Sequence, residues 1–157
     1  MQGDLINTCP VLIPTSSLRE NDISARVVEY DVIILSQSCD LAHRKLDLVL
    51  VSPVWTISEL ESKSDFFKSR KGKESLRQGN ISGYHLLDRC RLEGFENDYL
   101  VVDFRNVYGV PLGFITDLAK DRDKRLRLLP PYREHLSQAF ARFFMRVGLP
   151  VDIPPFR

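Results

Sequence analysis

A hydroxyl, an amide, a second hydroxyl, a thiol and a carboxylate follow one another at Ser36-Gln37-Ser38-Cys39-Asp40, with His43, Arg44 and Lys45 just beyond. Buried without partners, such groups cost roughly 2–7 kcal/mol each, so in a folded chain they are hydrogen-bonded, solvent-facing or functional. A thiol activated by an imidazole is a working nucleophile, which makes Cys39 with His43 one arrangement to test. Productive Cys–His pairs usually come from different elements, however, and these two lie close in sequence. A turn with satisfied side chains, or a contact with a ligand or partner, fits the spacing better. Cys39, His43, His85 and Cys90 are all zinc-type ligands. No pair of them has the tight spacing of a zinc knuckle, and neither a metal site nor a cofactor is expected.

A second set of candidates is basic. Lys68, Arg70, Lys71 and Lys73 could hold phosphates, and Phe66 and Phe67 beside them could stack on bases. Glu59, Glu61, Asp65 and Glu74 dilute that charge, which favours a solvated helix face with its phenylalanines in the core. The run from Lys120 to Arg127 is interrupted by acids in the same way and reads as an exposed loop. A net charge of +1 with a pI near 7.7 is less basic than a dedicated nucleic-acid binder would usually be. Trp55, the one tryptophan, stands at a strand end as a core side chain or an interface anchor.

The elements that carry these groups are short. Val32–Leu35 and Leu48–Val51 are unbroken aliphatic runs rich in β-branched residues, the pattern of strands buried on both faces. The polar corner at 36–40 lies between them. Gly3–Ile6 reads as an edge strand, and Pro10 and Pro14 confine Val11–Ile13 to an edge or an extended loop. Thr15–Asp22 reads as a polar loop. Residues 57–80 read as a helical basic insertion, with Ser58 as N-cap and a flexible stretch around Arg70–Lys73. Strands follow at Tyr84–Leu87 and Tyr99–Phe104, joined by a turn over Gly94–Asn97, and Leu112–Ile115 adds a short strand. From Pro131 to Val147, Leu136, Ala139, Phe140, Phe143, Phe144 and Val147 repeat at helical spacing, opposite a polar row of Glu134, Gln138, Arg142 and Arg146. The tail 150–157 is apolar and proline-bearing, hence extended, and Phe156 in it is a candidate docking side chain.

One α+β domain spanning 1–157 is therefore expected, long enough to bury roughly two-thirds of its unfolded surface. No run approaches ~18 apolar residues, and Asp4 stands where a signal peptide would be basic, so no membrane association is expected. Three cysteines without CxxC spacing point to free thiols in a reducing compartment, and the expected location is cytoplasmic.

Gln2-Gly-Asp-Leu-Ile6 resembles the "RGDIV" opening of MazF/PemK-like toxins, which share an SH3-like barrel with CcdB. Val32-Ile-Ile-Leu-Ser36 is similar to that family's "PVVVLS" strand. Leu48-Val-Leu-Val-Ser-Pro53 is similar to its following strand, which ends in a proline before a catalytic hydroxyl residue. The resemblance covers about the first third of the chain. It implies a small SH3-like β-barrel, here with a helical insertion and a closing C-terminal helix. Family members are usually sequence-specific, metal-independent endoribonucleases, with an arginine ahead of the first of these strands. On this chain that position falls at Tyr30-Asp31, and neither residue is basic; Arg26 is the nearest substitute, with Thr56 or Ser36 as the hydroxyl. Losing one positioned donor costs on the order of 10²–10³ in rate in other enzymes.

The expected function is accordingly a non-catalytic regulatory or protein-binding module in a prokaryotic toxin–antitoxin, stress or antiphage system. It would grip a protein partner through Ser36, Gln37, Ser38, Cys39, Asp40, Trp55 and Phe156. The rival is an endoribonuclease using Arg26, Ser36 and Thr56, with RNA as ligand, and the third reading is a nucleic-acid-binding domain. The resemblance also carries a homodimer as an expectation.

Overall fold

The computed structural model describes residues 1–15, 24–93, 98–122 and 124–145. Among them the chain forms an α+β fold of six strands in one antiparallel sheet and six helices. The strands are β1 (Leu5–Pro14), β2 (Ala25–Ile34), β3 (Leu48–Thr56), β4 (Tyr84–Leu87), β5 (Leu100–Asp103) and β6 (Tyr108–Pro111). Their order is β1-β2-β3-β5-β4, and β6 also pairs with β3. The helices are α1 (Ser38–Ala42), α2 (Ile57–Lys63), α3 (Asp65–Lys68), α4 (Arg70–Arg77), α5 (Leu112–Asp121) and α6 (Tyr132–Phe144). The expected loop at 16–22, the turn at 94–97, Arg146, Val147 and the tail with Phe156 lie outside the described residues.

β3 is the hub. On one side Val51–Pro53 pair with β2; on the other, Leu48–Val51 pair with β6 and Val54–Thr56 with β5. A proline inside so central a strand would ordinarily break the ladder. Leu35 donates to the Leu50 carbonyl, and antiparallel pairs alternate between bonded and non-bonded. Pro53, opposite Val32, therefore has its missing N–H on the side away from β2, where β3 changes partner from β6 to β5. β1, by contrast, is a single long strand; among the described strands its one partner is β2, so Pro10 and Pro14 sit where an edge tolerates them.

Both sheet faces are covered. Ile6, Cys9, Val32, Ile34, Val49, Val51 and Val110 meet Ile115 of α5, with Leu112, Leu118 and Ala119 packed alongside. Ile33, Leu35, Val54, Val102 and Phe104 meet Leu136 of α6, flanked by Ala139, Phe140 and Phe143. Leu112–Ile115, expected as a strand, opens α5 instead: 112, 115, 118 and 119 share one helical face, and that face has a sheet to cover. Phe144, expected in the core, is 60% exposed at the end of α6, its ring edge-on to those of Phe140 and Phe143.

Three short helices fill the segment between β3 and β4, where Leu60, Phe67 and Leu76 pack on Val101. Phe67 enters this cluster, while Phe66 stays 46% exposed. The helix cap is Thr56, not Ser58, because the chain turns directly from β3 into α2. α4 runs without a break through Gly72, where flexibility was expected. No helix among the described residues is long and apolar enough to cross a membrane.

Candidate functional site

A groove of about 520 Å³ opens between the starts of β1, the middle of β2, the end of β3 and the segment that follows α5. Its placement begins with a bulge. The β1–β2 register slips between Ile6 and Cys9, and Thr8 takes φ +49°, unusual for a residue with a Cβ. The bulge turns the Thr8 N–H onto Asp31 Oδ1 (2.8 Å) and its hydroxyl onto Arg122 Nη2 (2.6 Å), which donates to it.

The basic wall of the groove is held by Asp4. That carboxylate is 1% exposed and accepts from Arg125 Nε (3.0 Å), from both Arg127 Nε and Nη2, and from the Met1 amine (2.9 Å). Burial by itself would raise the Asp4 pKa; the hydrogen bonds from Arg127, the amine and Arg125 outweigh it and hold the group below its ordinary value. Leu5 N–H donates to Leu126 O and Leu128 N–H to Gly3 O, each at 3.0 Å, laying residues 126–128 beside β1. Gly3, at φ +79°, allows this approach: a Cβ there would stand 3.1 Å from that of Leu128. The described residues of the basic run are largely exposed, as expected, but Lys120 and Asp121 end α5. Residues 125–128 are held against the chain start, which brings Arg122, Lys124 and Arg125 to the groove.

Aromatic rings form the opposite wall. Trp55 meets Tyr30 edge-on at 5.8 Å, and Tyr30 stacks on Tyr108 at the same distance. The Lys63 ammonium sits 2.9 Å from the centre of the Trp55 ring, a cation–π contact. Burial, with the neighbouring Tyr30 hydroxyl, pushes Tyr108 up to about 12. Glu29, Asp31 and Glu59 also line the groove, so that its rings have both acids and bases around them.

The candidates from sequence distribute unevenly. Trp55 and Thr56 line the groove, together with Tyr30 and Asp31. Arg26 lies four residues up β2 from Tyr30, beyond the pairing with β3, and does not line it. Ser36 is buried with its hydroxyl accepting from Leu50 N–H (2.8 Å), and the Ser38 hydroxyl accepts from Gln2 N–H (3.1 Å). Gln2 also donates its amide to Leu35 O and to the Ser137 hydroxyl, both at 2.8 Å. The corner is thereby a structural joint tying the chain start to β2, β3 and α6. Gln37 and Cys39 remain exposed on it, and half-buried Asp40 faces Lys45 at 4.0 Å.

Cys39 and His43 are joined through the backbone, His43 N–H to Cys39 O, within the turn of α1. Among the described residues no three His, Cys, Asp or Glu side chains converge to hold a metal ion. Lys68, Arg70 and Lys73 line a separate cleft of about 450 Å³ with Tyr99 and Leu86, where Lys68 pairs with Asp65 and Lys73 with Glu61. Lys71 lies on α4 beside them, exposed. The two basic runs therefore serve different surfaces. Arg122 and Lys124 could not be read as groove residues because their neighbours Arg125 and Arg127 are held by Asp4, and Arg122 itself by Thr8, across more than 110 positions of sequence.

Compared with known proteins, the chain matches no family model, no curated sequence and no solved structure. What geometry defines is an α+β protein with a mixed-charge, aromatic-walled groove across β1, β2 and β3.

Proposed function

We propose that this chain is a non-catalytic MazF/PemK-like module, its sheet a variant of that family's small SH3-like barrel, and that the groove takes an extended segment of a protein partner. One observation carries the reading: the groove residues a ribonuclease would need are either absent or engaged. The arginine position is Tyr30-Asp31, Asp31 is bonded to the Thr8 backbone, and the Thr56 hydroxyl donates to Glu59 at 2.9 Å. Rings beside charges of both signs suit a peptide, whose side chains vary in character, better than a uniformly anionic strand. By the same resemblance the partner is an antitoxin-like segment in a prokaryotic stress or antiphage system, and the working unit is a homodimer.

Trp55 makes the test direct, because it is the only tryptophan and its fluorescence reports the groove. Peptides selected from a random library should change that fluorescence, and Tyr30→Ala should weaken them at least tenfold. Metal-independent cleavage of a long RNA by micromolar protein would sink this reading.

That outcome would favour a second reading, an endoribonuclease, which one observation supports: Arg122 and Lys124 share the groove with Thr56 and could serve in place of the missing arginine. In that case Lys124→Ala should abolish cleavage while leaving the fold intact. A plain nucleic-acid-binding role has less support, since the basic runs line separate clefts.

A further inference from the structure

On the α6 side of the sheet, a cleft of about 540 Å³ lies between the 78–83 turn, β4 and α6. Apart from Tyr84, every ionisable side chain lining it is basic: Arg77, His85, His135 and Arg142. No carboxylate lines it, in a chain whose Asp+Glu number 21 against 22 Lys+Arg. His135, Gln138 and Arg142 follow one another at helical spacing along α6 and so present a single stripe to β4. Gly83, at φ +90°, lets the turn close on this helix: a Cβ there would stand 3.1 Å from the Phe143 ring and 2.9 Å from Arg105.

The cations of this cleft are not all spoken for. Arg77 is neutralised by Glu74 (2.6 Å), and Arg105 near the turn by Asp103 (2.8 Å). Arg142 has no carboxylate partner among the described residues; its Nε reaches only the Gln138 carbonyl, at 3.4 Å. His85 stacks on Phe104 at 6.3 Å and makes no hydrogen bond among the described residues. Burial first, then the charges of His135 and Arg142, lower its pKa to about 4, so it stands neutral beside an uncompensated guanidinium. An anion in the cleft would reverse two of those three causes.

We propose that this cleft binds a phosphomonoester, with Arg142 and His135 holding the oxyanion on the α6 side and His85 facing it from β4. Planar guanidinium donors match phosphate oxygens. A phosphomonoester carries about −1.5 to −2 charge near neutral pH, which a guanidinium with no carboxylate partner can meet. A cleft of this volume has room for a nucleoside-sized remainder. This site is independent of the groove and of any role assigned to it.

The test is proton NMR of the His85 and His135 imidazoles, with inorganic phosphate, AMP and adenosine added in turn at pH 6.5. Phosphate and AMP should shift both histidines saturably and raise the His85 pKa by at least one unit, whereas adenosine alone should not. AMP binding tighter than phosphate assigns a nucleotide; equal binding assigns the phosphate group alone. Arg142→Gln should weaken the response about tenfold or more, as expected for losing a charge-assisted contact. His135→Gln, on the same exposed face, is a second variant that cannot disturb the core. The proposal is overturned if phosphate up to about 10 mM, beyond the millimolar affinity range, gives no saturable shift. It is equally overturned if adenosine binds as well as AMP, or if both variants retain wild-type affinity.

Discussion

Thr56 and Glu59 hold each other across the first turn of α2. The Thr56 N–H and hydroxyl both donate to Glu59 Oε2, at 2.7 and 2.9 Å, and the Glu59 N–H donates back to the hydroxyl at 3.2 Å. This is a capping box, and it begins the helical insertion at the residue where β3 ends. It also occupies one of the two hydroxyls, Thr56 and Ser36, that the ribonuclease reading would make catalytic. Thr56→Ala should therefore cost about 1 kcal/mol in urea unfolding, and Thr56→Ser should lie close to wild type. A loss for Thr56→Ala within error of zero would mean the box does not form in solution.

Asp4 binds two arginines from a segment over 120 residues on, and is itself buried. Removing one partner of a buried ionic cluster leaves the other charges uncompensated, so Asp4→Asn should destabilise by about 3 kcal/mol. The same substitution should free Arg125 and so reshape the groove wall. Asp4 and Asp103 both have folded pKa values below the ordinary 3.8. Stability from each is complete above that value and is lost as pH falls below it. Unfolding midpoints measured from pH 5 downward should show this acid loss, reduced in Asp4→Asn.

His85 gives a second, higher acid limb. Its pKa moves from 6.5 to about 4 in the folded protein, chiefly through burial. A depressed folded value means the unfolded chain binds the extra proton first, so stability is full above pH 6.5 and falls between 6.5 and 4. The loss across that window is roughly 3 kcal/mol if no anion is bound. His85→Phe should flatten the stability profile there, and saturating phosphate should do the same in the wild type. An unchanged profile in His85→Phe would show that other groups titrate in this range.

Gly72 marks the tightest approach in the insertion. A Cβ at that position would stand 2.0 Å from the Phe66 carbonyl oxygen, where only backbone movement could relieve it. Gly72→Ala, normally favourable inside a helix, should here destabilise by about 2 kcal/mol through overpacking. Thermal unfolding reads this directly; a variant more stable than wild type would mean α3 and α4 are not packed as described.

Much of the scaffold was legible along the chain. Val32–Ile34 became a stretch of β2 buried on both faces. Leu48–Val51 became part of β3, though Leu48 and Leu50 there are exposed, so only Val49 and Val51 reach the core. Leu136, Ala139, Phe140 and Phe143 became the inward face of α6. These succeed because burial selects apolar residues at the period of the element, which sequence records residue by residue. Leu112–Ile115 failed because four apolar residues fit a strand and a helix face equally well. Only the neighbouring sheet, needing a cover, decides between them.

The candidate site was legible in part. Trp55 and Thr56 could be singled out because a strand end after a proline is a local feature. Tyr30 and Asp31 were noted only as an absence of arginine, and Arg122 and Lys124 only as members of an acid-diluted basic run. Ser36 and Ser38 looked functional because hydroxyls in a row are conspicuous; their partners, Leu50 N–H and Gln2 N–H, are contacts across space. The chain's own order of side chains determined where strands and helices could form and which faces were apolar. Tertiary structure alone decided which polar groups are consumed and which are left to act. The reason is physical: a buried carboxylate such as Asp4 selects its cations by proximity in the folded state, and proximity is not written in sequence separation.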